Sequence, residues 1–147
     1  MYKRLITTFI AAIFTAPLWA SEAITYASED DFEDTMFSVE SAILDAGLVI
    51  DFVSHTGDML ERTRETTGSD VKLFEHADIF NFCSASLSRK VMEADIMNVV
   101  HCPYRIFVMQ KGGSDEVIVG FKSMPDGAMK EVEAFLDQIV KDALELQ

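Results

Sequence analysis

The stretch from Arg105 to Phe121 constrains this chain more than any other. Arg105-Ile106-Phe107-Val108-Met109 and Glu116-Val117-Ile118-Val119-Gly120-Phe121 are rich in β-branched and aromatic residues, and Lys111-Gly112-Gly113-Ser114 lies between them. Glycines between two such runs let the backbone reverse, so the pattern predicts a β-hairpin. Two strands alone are not stable in water. So apolar a hairpin needs further strands beside it and a layer to cover it.

The upstream sequence supplies both. Residues 24–28 and 79–83, together with Leu48-Val49-Ile50-Asp51-Phe52-Val53, read as three more strands. Phe32, Met36, Val39 and Ile43 recur at helical spacing behind Ser28-Glu29-Asp30-Asp31, which reads as a helix start, and Gly47 as its stop. The acids at 29–34 lack the spaced oxygen ligands and central glycine of a calcium loop. Residues 56–67 predict a shorter helix stopped by Gly68, and residues 84–94 a third with Leu87 and Val91 inward. Pro125-Asp126-Gly127 opens a long last helix whose apolar face carries Met129, Val132, Leu136, Ile139, Val140 and Ala143. The predicted order is β-α-β-α-β-α-β-β-α, an α+β fold of two layers with a mixed β-sheet covered by helices.

The amino terminus reads as a secretory signal occupying residues 1–20. Lys3 and Arg4 form the basic start, an apolar stretch follows, and Pro17-Leu18-Trp19-Ala20 ends in a small residue before Ser21. An uncleaved anchor is the competing reading, but a spanning helix wants about twenty apolar residues and this stretch is shorter. The expectation is a periplasmic or otherwise secreted protein made of one domain, residues 21–147.

Twenty-five acidic residues against 12 basic give a net charge of −13, and loss of Lys3 and Arg4 would make the balance more acidic. Such a surface repels phosphate backbones, so nucleic acid is excluded as a partner. No second apolar run is long enough to span a bilayer after cleavage of the leader.

Cys83 and Cys102 are the two cysteines. In an oxidising compartment they are candidates for a disulfide between the end of the third strand and the start of the fourth. If those strands were parallel neighbours, the two ends would lie at opposite edges of the sheet, so the bond requires an antiparallel or offset arrangement. The alternative adds His55, His76 and His101: imidazole with thiolate suits zinc or copper, and two imidazoles suit haem iron. No spacing among these residues matches a recognised metal site. Cys83 with His101 and Asn81 can be drawn as a thiol triad, although an unpaired thiol would be oxidised outside the cytoplasm. The scattered methionines 36, 59, 92, 97, 109, 124 and 129 read mostly as core filler.

Ile79-Phe80-Asn81-Phe82-Cys83-Ser84-Ala85-Ser86-Leu87-Ser88-Arg89-Lys90 resembles the first signature block of the domain-of-unknown-function 302 family. Glu93-Ala94-Asp95, Asn98 and Cys102-Pro103-Tyr104-Arg105-Ile106-Phe107-Val108 resemble its second block. The likeness spans residues 32–125. It departs at Ser54, where many relatives have Asp, and at Ile96, where Pro is frequent. The resemblance implies a compact two-layer α/β domain that often associates in pairs, and it implies no activity.

The reading that follows is an exported, non-catalytic accessory module that binds a small molecule or a protein, with a homodimer through sheet or helix faces as a further idea. No bound cofactor is expected. The alternative is a haem, metal or thiol-redox protein using Cys83, Cys102 and a histidine.

Overall fold

The computed structural model describes residues 23–146, so the leader read at residues 1–20 lies outside the described residues. The elements are β1 (Ala23–Ser28), α1 (Phe32–Asp45), β2 (Val49–His55), α2 (Thr56–Thr63), β3 (Phe74–Cys83), α3 (Ala85–Ala94), β4 (Tyr104–Lys111), β5 (Val117–Lys122) and α4 (Met129–Ala143). Short 3-10 segments lie at Glu65–Thr67 and Ile96–His101. The α+β class and the order of elements are those expected from the sequence. The five strands lie in the order β1-β5-β4-β3-β2, and each of the four pairings is antiparallel. Mixed pairing, as read from the sequence, thus narrows to antiparallel, because the chain turns back on itself between β2 and β3, β3 and β4, and β4 and β5.

Alternation along the strands sorts the side chains onto two faces. Phe80 and Phe82 of β3, Tyr104, Ile106 and Val108 of β4, and Val117, Val119 and Phe121 of β5 are buried on one of them. Covering them are Val39 and Ile43 of α1 and Val132, Leu136, Ile139 and Val140 of α4, all within one cluster. Truncating a fully buried member such as Leu136 to Ala would cost about 2–5 kcal/mol in lost transfer energy and cavity. Met124 and Met129 belong to this core, whereas Met59 and Met97 are exposed. Those two are surface residues, not filler.

Several boundaries move for local reasons. Asp31, not Ser28, caps α1, its carboxylate accepting from Asp34 N–H at 3.0 Å. Ser28 instead shares a 2.8 Å hydrogen bond with the Thr35 hydroxyl. Ser84 caps α3 by accepting from Leu87 N–H. Asp95 caps the 3-10 segment Ile96–His101 by accepting from Met97 N–H at 2.9 Å. Gly47 takes φ 76°, the left-handed conformation that ends a helix at low cost. Strand β3 starts at Phe74, five residues before the apolar run, and carries a register shift between Phe74 and His76. Among the described residues no helix is long and apolar enough to cross a membrane.

Candidate functional site

The second face of the sheet is less fully covered: α2 packs against β3 beside Ala77, and Ile79, Phe107, Met109 and Ile118 stay half-buried. The register and the two-residue period place Ile118, Gly120 and Lys122 of β5 there, with Arg105, Phe107, Met109 and Lys111 of β4 and Ala77, Ile79 and Asn81 of β3. Gly120 confirms the assignment: a Cβ on it would lie 2.6 Å from Phe107 Cζ and 2.9 Å from Thr25 Cγ2. The Phe107 ring therefore lies across the backbone of β5. Phe74, Ile79, Phe107 and Met109, with Thr56 at the start of α2 and Asp78 of β3, line a trough of about 210 Å³. The apolar surface continues onto β2, where Phe52 is 54% and Val49 74% exposed.

A polar cluster lies at one end of this face. Asn81 is only 2% exposed, so its amide must be satisfied internally. Its NH₂ donates to the Ile79 carbonyl at 3.0 Å and to Ser54 Oγ at 3.2 Å. Its oxygen accepts from Arg105 Nε at 3.1 Å across the β3–β4 pair. In the sequence Asn81 stands inside the apolar run Ile79-Phe80-Asn81-Phe82. Its use is to hold Arg105 in place. Among the residues paired in register on this face the charges are Arg105, Lys111 and Lys122, all basic, in a chain whose net charge is −13.

The structure brings together some of the residues singled out by sequence and separates others. Cys83 and Cys102 meet, with Cα atoms 6.6 Å apart and sulfurs within bonding distance. The antiparallel β3–β4 pair, with Phe82 opposite Tyr104, supplies the geometry such a bond requires. Beside them Ser88, on α3, donates to the Tyr104 hydroxyl at 3.1 Å. His101 adjoins Cys102 at the end of the 3-10 segment. His55 and His76 lie elsewhere. His55 Nδ1 is 3.0 Å from the Asp78 carboxylate, and His76 stacks on Phe32 with ring centroids 4.6 Å apart. His76 is opposite Gln110, and strand β4 puts roughly 20 Å between that level and Tyr104 at about 3.3 Å per residue. His101 and the cysteines are thus at the opposite end of the sheet from His55 and His76. Among the described residues no group of three or more His, Cys, Asp or Glu is arranged to hold a metal ion.

Phe107, Lys122 and Arg105 are the site residues that sequence reasoning passed over. Arg105 and Phe107 stand within one apolar strand run and Lys122 just past the next, and only the hairpin register shows that they share a face.

A family model described as "Domain of unknown function DUF302" matches residues 24–145. A crystal structure of an uncharacterized conserved DUF302 protein from Bacillus stearothermophilus is similar in fold, with a TM-score of 0.66 at 17% identity over 86% of this chain and 98% of that one. No curated protein matches the chain.

Proposed function

The chain belongs to the family described as Domain of unknown function DUF302, and on that premise we propose that it is an exported, non-catalytic binding module. Its ligand seat is the less covered sheet face, and Cys83 and Cys102 form a structural disulfide. Residues 1–20 would direct it to the periplasm or beyond and be removed. The observation that carries this reading is the apolar trough of Phe74, Ile79, Phe107 and Met109 on the face that α1 and α4 leave open. Side chains of this kind gain by leaving water.

The occupant that fits is a small molecule with an apolar body and negative charge. A second copy docked face to face about a two-fold axis would bring Arg105, Lys111 and Lys122 towards basic counterparts, which like-charge repulsion opposes. An apolar chain covering about 150 Å² would gain on the order of 4 kcal/mol, a millimolar affinity. That sets the concentration of the test. Titrating isotope-labelled protein with 1-octanol should shift the resonances of Ile79, Phe107 and Met109. Shifts confined to other parts of the molecule, or none at millimolar octanol, would rule the seat out. So would a dimer in light scattering whose interface buries Phe107.

The redox or metal alternative draws less support, since Cys83 and Cys102 are within reach of one another and His55 is engaged by Asp78. Native mass spectrometry of protein recovered from its export compartment should find the leader gone, no added mass from haem or metal, and no titratable thiol.

A further inference from the structure

Tyr104 begins β4 and Lys122 ends β5, and at this end of the sheet a small cleft of about 110 Å³ opens beneath the 3-10 segment. Its charged or titratable lining residues are His101, Tyr104, Arg105 and Lys122, with Val100, Pro103 and Met124 completing the wall. No carboxylate lines it, although the chain has 25 acidic residues and 12 basic ones.

Most of the described basic residues are paired elsewhere in the fold. Arg64, Lys72, Arg89, Lys90, Lys130 and Lys141 each have a carboxylate partner. Among the described residues Arg62, Arg105, Lys111 and Lys122 have none, and of these four Arg105 and Lys122 line the same cleft. Arg105 spends its Nε on the neutral Asn81 amide, which orients the guanidinium without neutralising it. The last paired residues of the hairpin at this end are Ile106 and Phe121. One step further, the same register sets Arg105 opposite Lys122. Like charges directly opposite on antiparallel strands repel and destabilise the sheet. Two unneutralised cations set opposite each other by the register, in a cleft that His101 also lines, form a seat for an anion.

We infer that this cleft binds the carboxylate of a small organic anion, whose apolar body then lies along Phe107 and Met109. Arg105 and Phe107 are on the same face two residues apart, roughly 7 Å along the strand. A carboxylate held by Arg105 and Lys122 therefore starts an alkyl chain in the direction of the trough. The inference rests on the proposed apolar seat for the tail, but the headgroup site stands on its own charges.

The test compares octanoate, 1-octanol and acetate against the whole mature protein, by chemical-shift titration at low ionic strength. Octanoate should bind about tenfold more tightly than octanol, the order expected for a charge-assisted hydrogen bond. Lys122→Gln should remove most of that difference. Lys111→Gln, which lies on the same face at the other end of β4, should leave it intact. Arg105→Gln should act like Lys122→Gln, but it also disturbs Asn81, so the lysine variant is the cleaner one. If octanoate binds no more tightly than octanol, the anion site is wrong and the apolar seat survives. If acetate shifts Lys122 and His101 while octanol shifts nothing, the anion site holds and the apolar seat is wrong. Equal losses in Lys111→Gln and Lys122→Gln would reduce the effect to general attraction and overturn the assignment to this cleft.

Discussion

Arg105 reaches across from β4 to β3 and donates from Nε to the side-chain oxygen of Asn81 at 3.1 Å. The bond joins a buried amide to an exposed cation, so one residue of the pair serves folding and the other is left at the proposed anion seat. Asn81→Ala would strip Ile79 O and Ser54 Oγ of a donor and Arg105 of its acceptor. The expected cost is about 1–3 kcal/mol, the range for leaving buried partners unsatisfied. Urea denaturation would measure it. A midpoint within error of the parent protein's would mean that water replaces the amide freely and that Arg105 is not held.

The Cys83–Cys102 bond should act on stability and not on ligand binding. The two positions are 19 residues apart, and closing a loop of about this size contributes on the order of 3 kcal/mol through the unfolded chain. Cys83→Ser with Cys102→Ser, or reduction with dithiothreitol, should lower the urea midpoint accordingly. Octanol shifts at Phe107 should persist in whatever remains folded. Loss of those shifts in a variant that is still fully folded would give the cysteines a direct part in binding.

Acid should unfold the protein through a few identifiable carboxylates. The Glu133 carboxyl is held below the usual range by Lys130 and by the Met124 N–H. Burial pushes the Asp137 carboxyl up, but hydrogen bonds from Lys141 and Tyr26 outweigh it and leave the group below its ordinary value. Both groups bind protons less readily in the folded state than in the unfolded one. Their stabilisation is therefore present above the unfolded pKa of about 4 and is lost as pH falls through the lower folded value. Tyr26 has the opposite sense. Its hydrogen bond to Asp137 and its burial raise the phenol, so that contribution is present below about pH 10 and fades as pH rises through the folded value. Stability measured by urea from pH 2 to 7 should slope less steeply in Glu133→Gln than in the parent. An unchanged slope would assign the acid limb to other carboxylates.

Much of the scaffold was legible because its signals are local. The hairpin, the stripe of Phe32, Met36, Val39 and Ile43, and the apolar face of α4 each show their period within one turn or one strand. What was hidden depends on register. The first half of β3, Phe74-Glu75-His76-Ala77-Asp78, alternates polar and apolar residues too irregularly to stand out, because a bulge shifts its pairing partway. The segment Ile96–His101 carries exposed Ile96, Met97, Val99 and Val100, so its apolar residues do not mark a buried element. The three histidines had no spacing signal, and the fold sets His101 at the other end of the sheet from His55 and His76. The cationic cleft was invisible for the same reason in reverse. Arg105 and Lys122 are 17 positions apart in sequence, and only the pairing of Ile106 with Phe121 brings them together.

Gly120 gives the sharpest test of the less covered face. In the sequence it is a lone glycine inside a strand, which signals a close approach by something unspecified. The structure identifies it: a Cβ there would lie 2.6 Å from Phe107 Cζ and 2.6 Å from the Ile24 carbonyl oxygen. The ring can swing away but the β1 backbone cannot. Gly120→Ala should therefore cost about 1–3 kcal/mol as overpacking and lift Phe107 off the sheet. Changed ring shifts for Phe107, with weaker octanol binding, are the expected readout. In a Gly120→Ala, Phe107→Leu double variant the smaller side chain removes one clash while the Ile24 carbonyl contact remains, so only part of the stability should return. Full recovery would place the strain in the ring alone. No loss in the single variant would mean that β1 and β5 are farther apart than these contacts require.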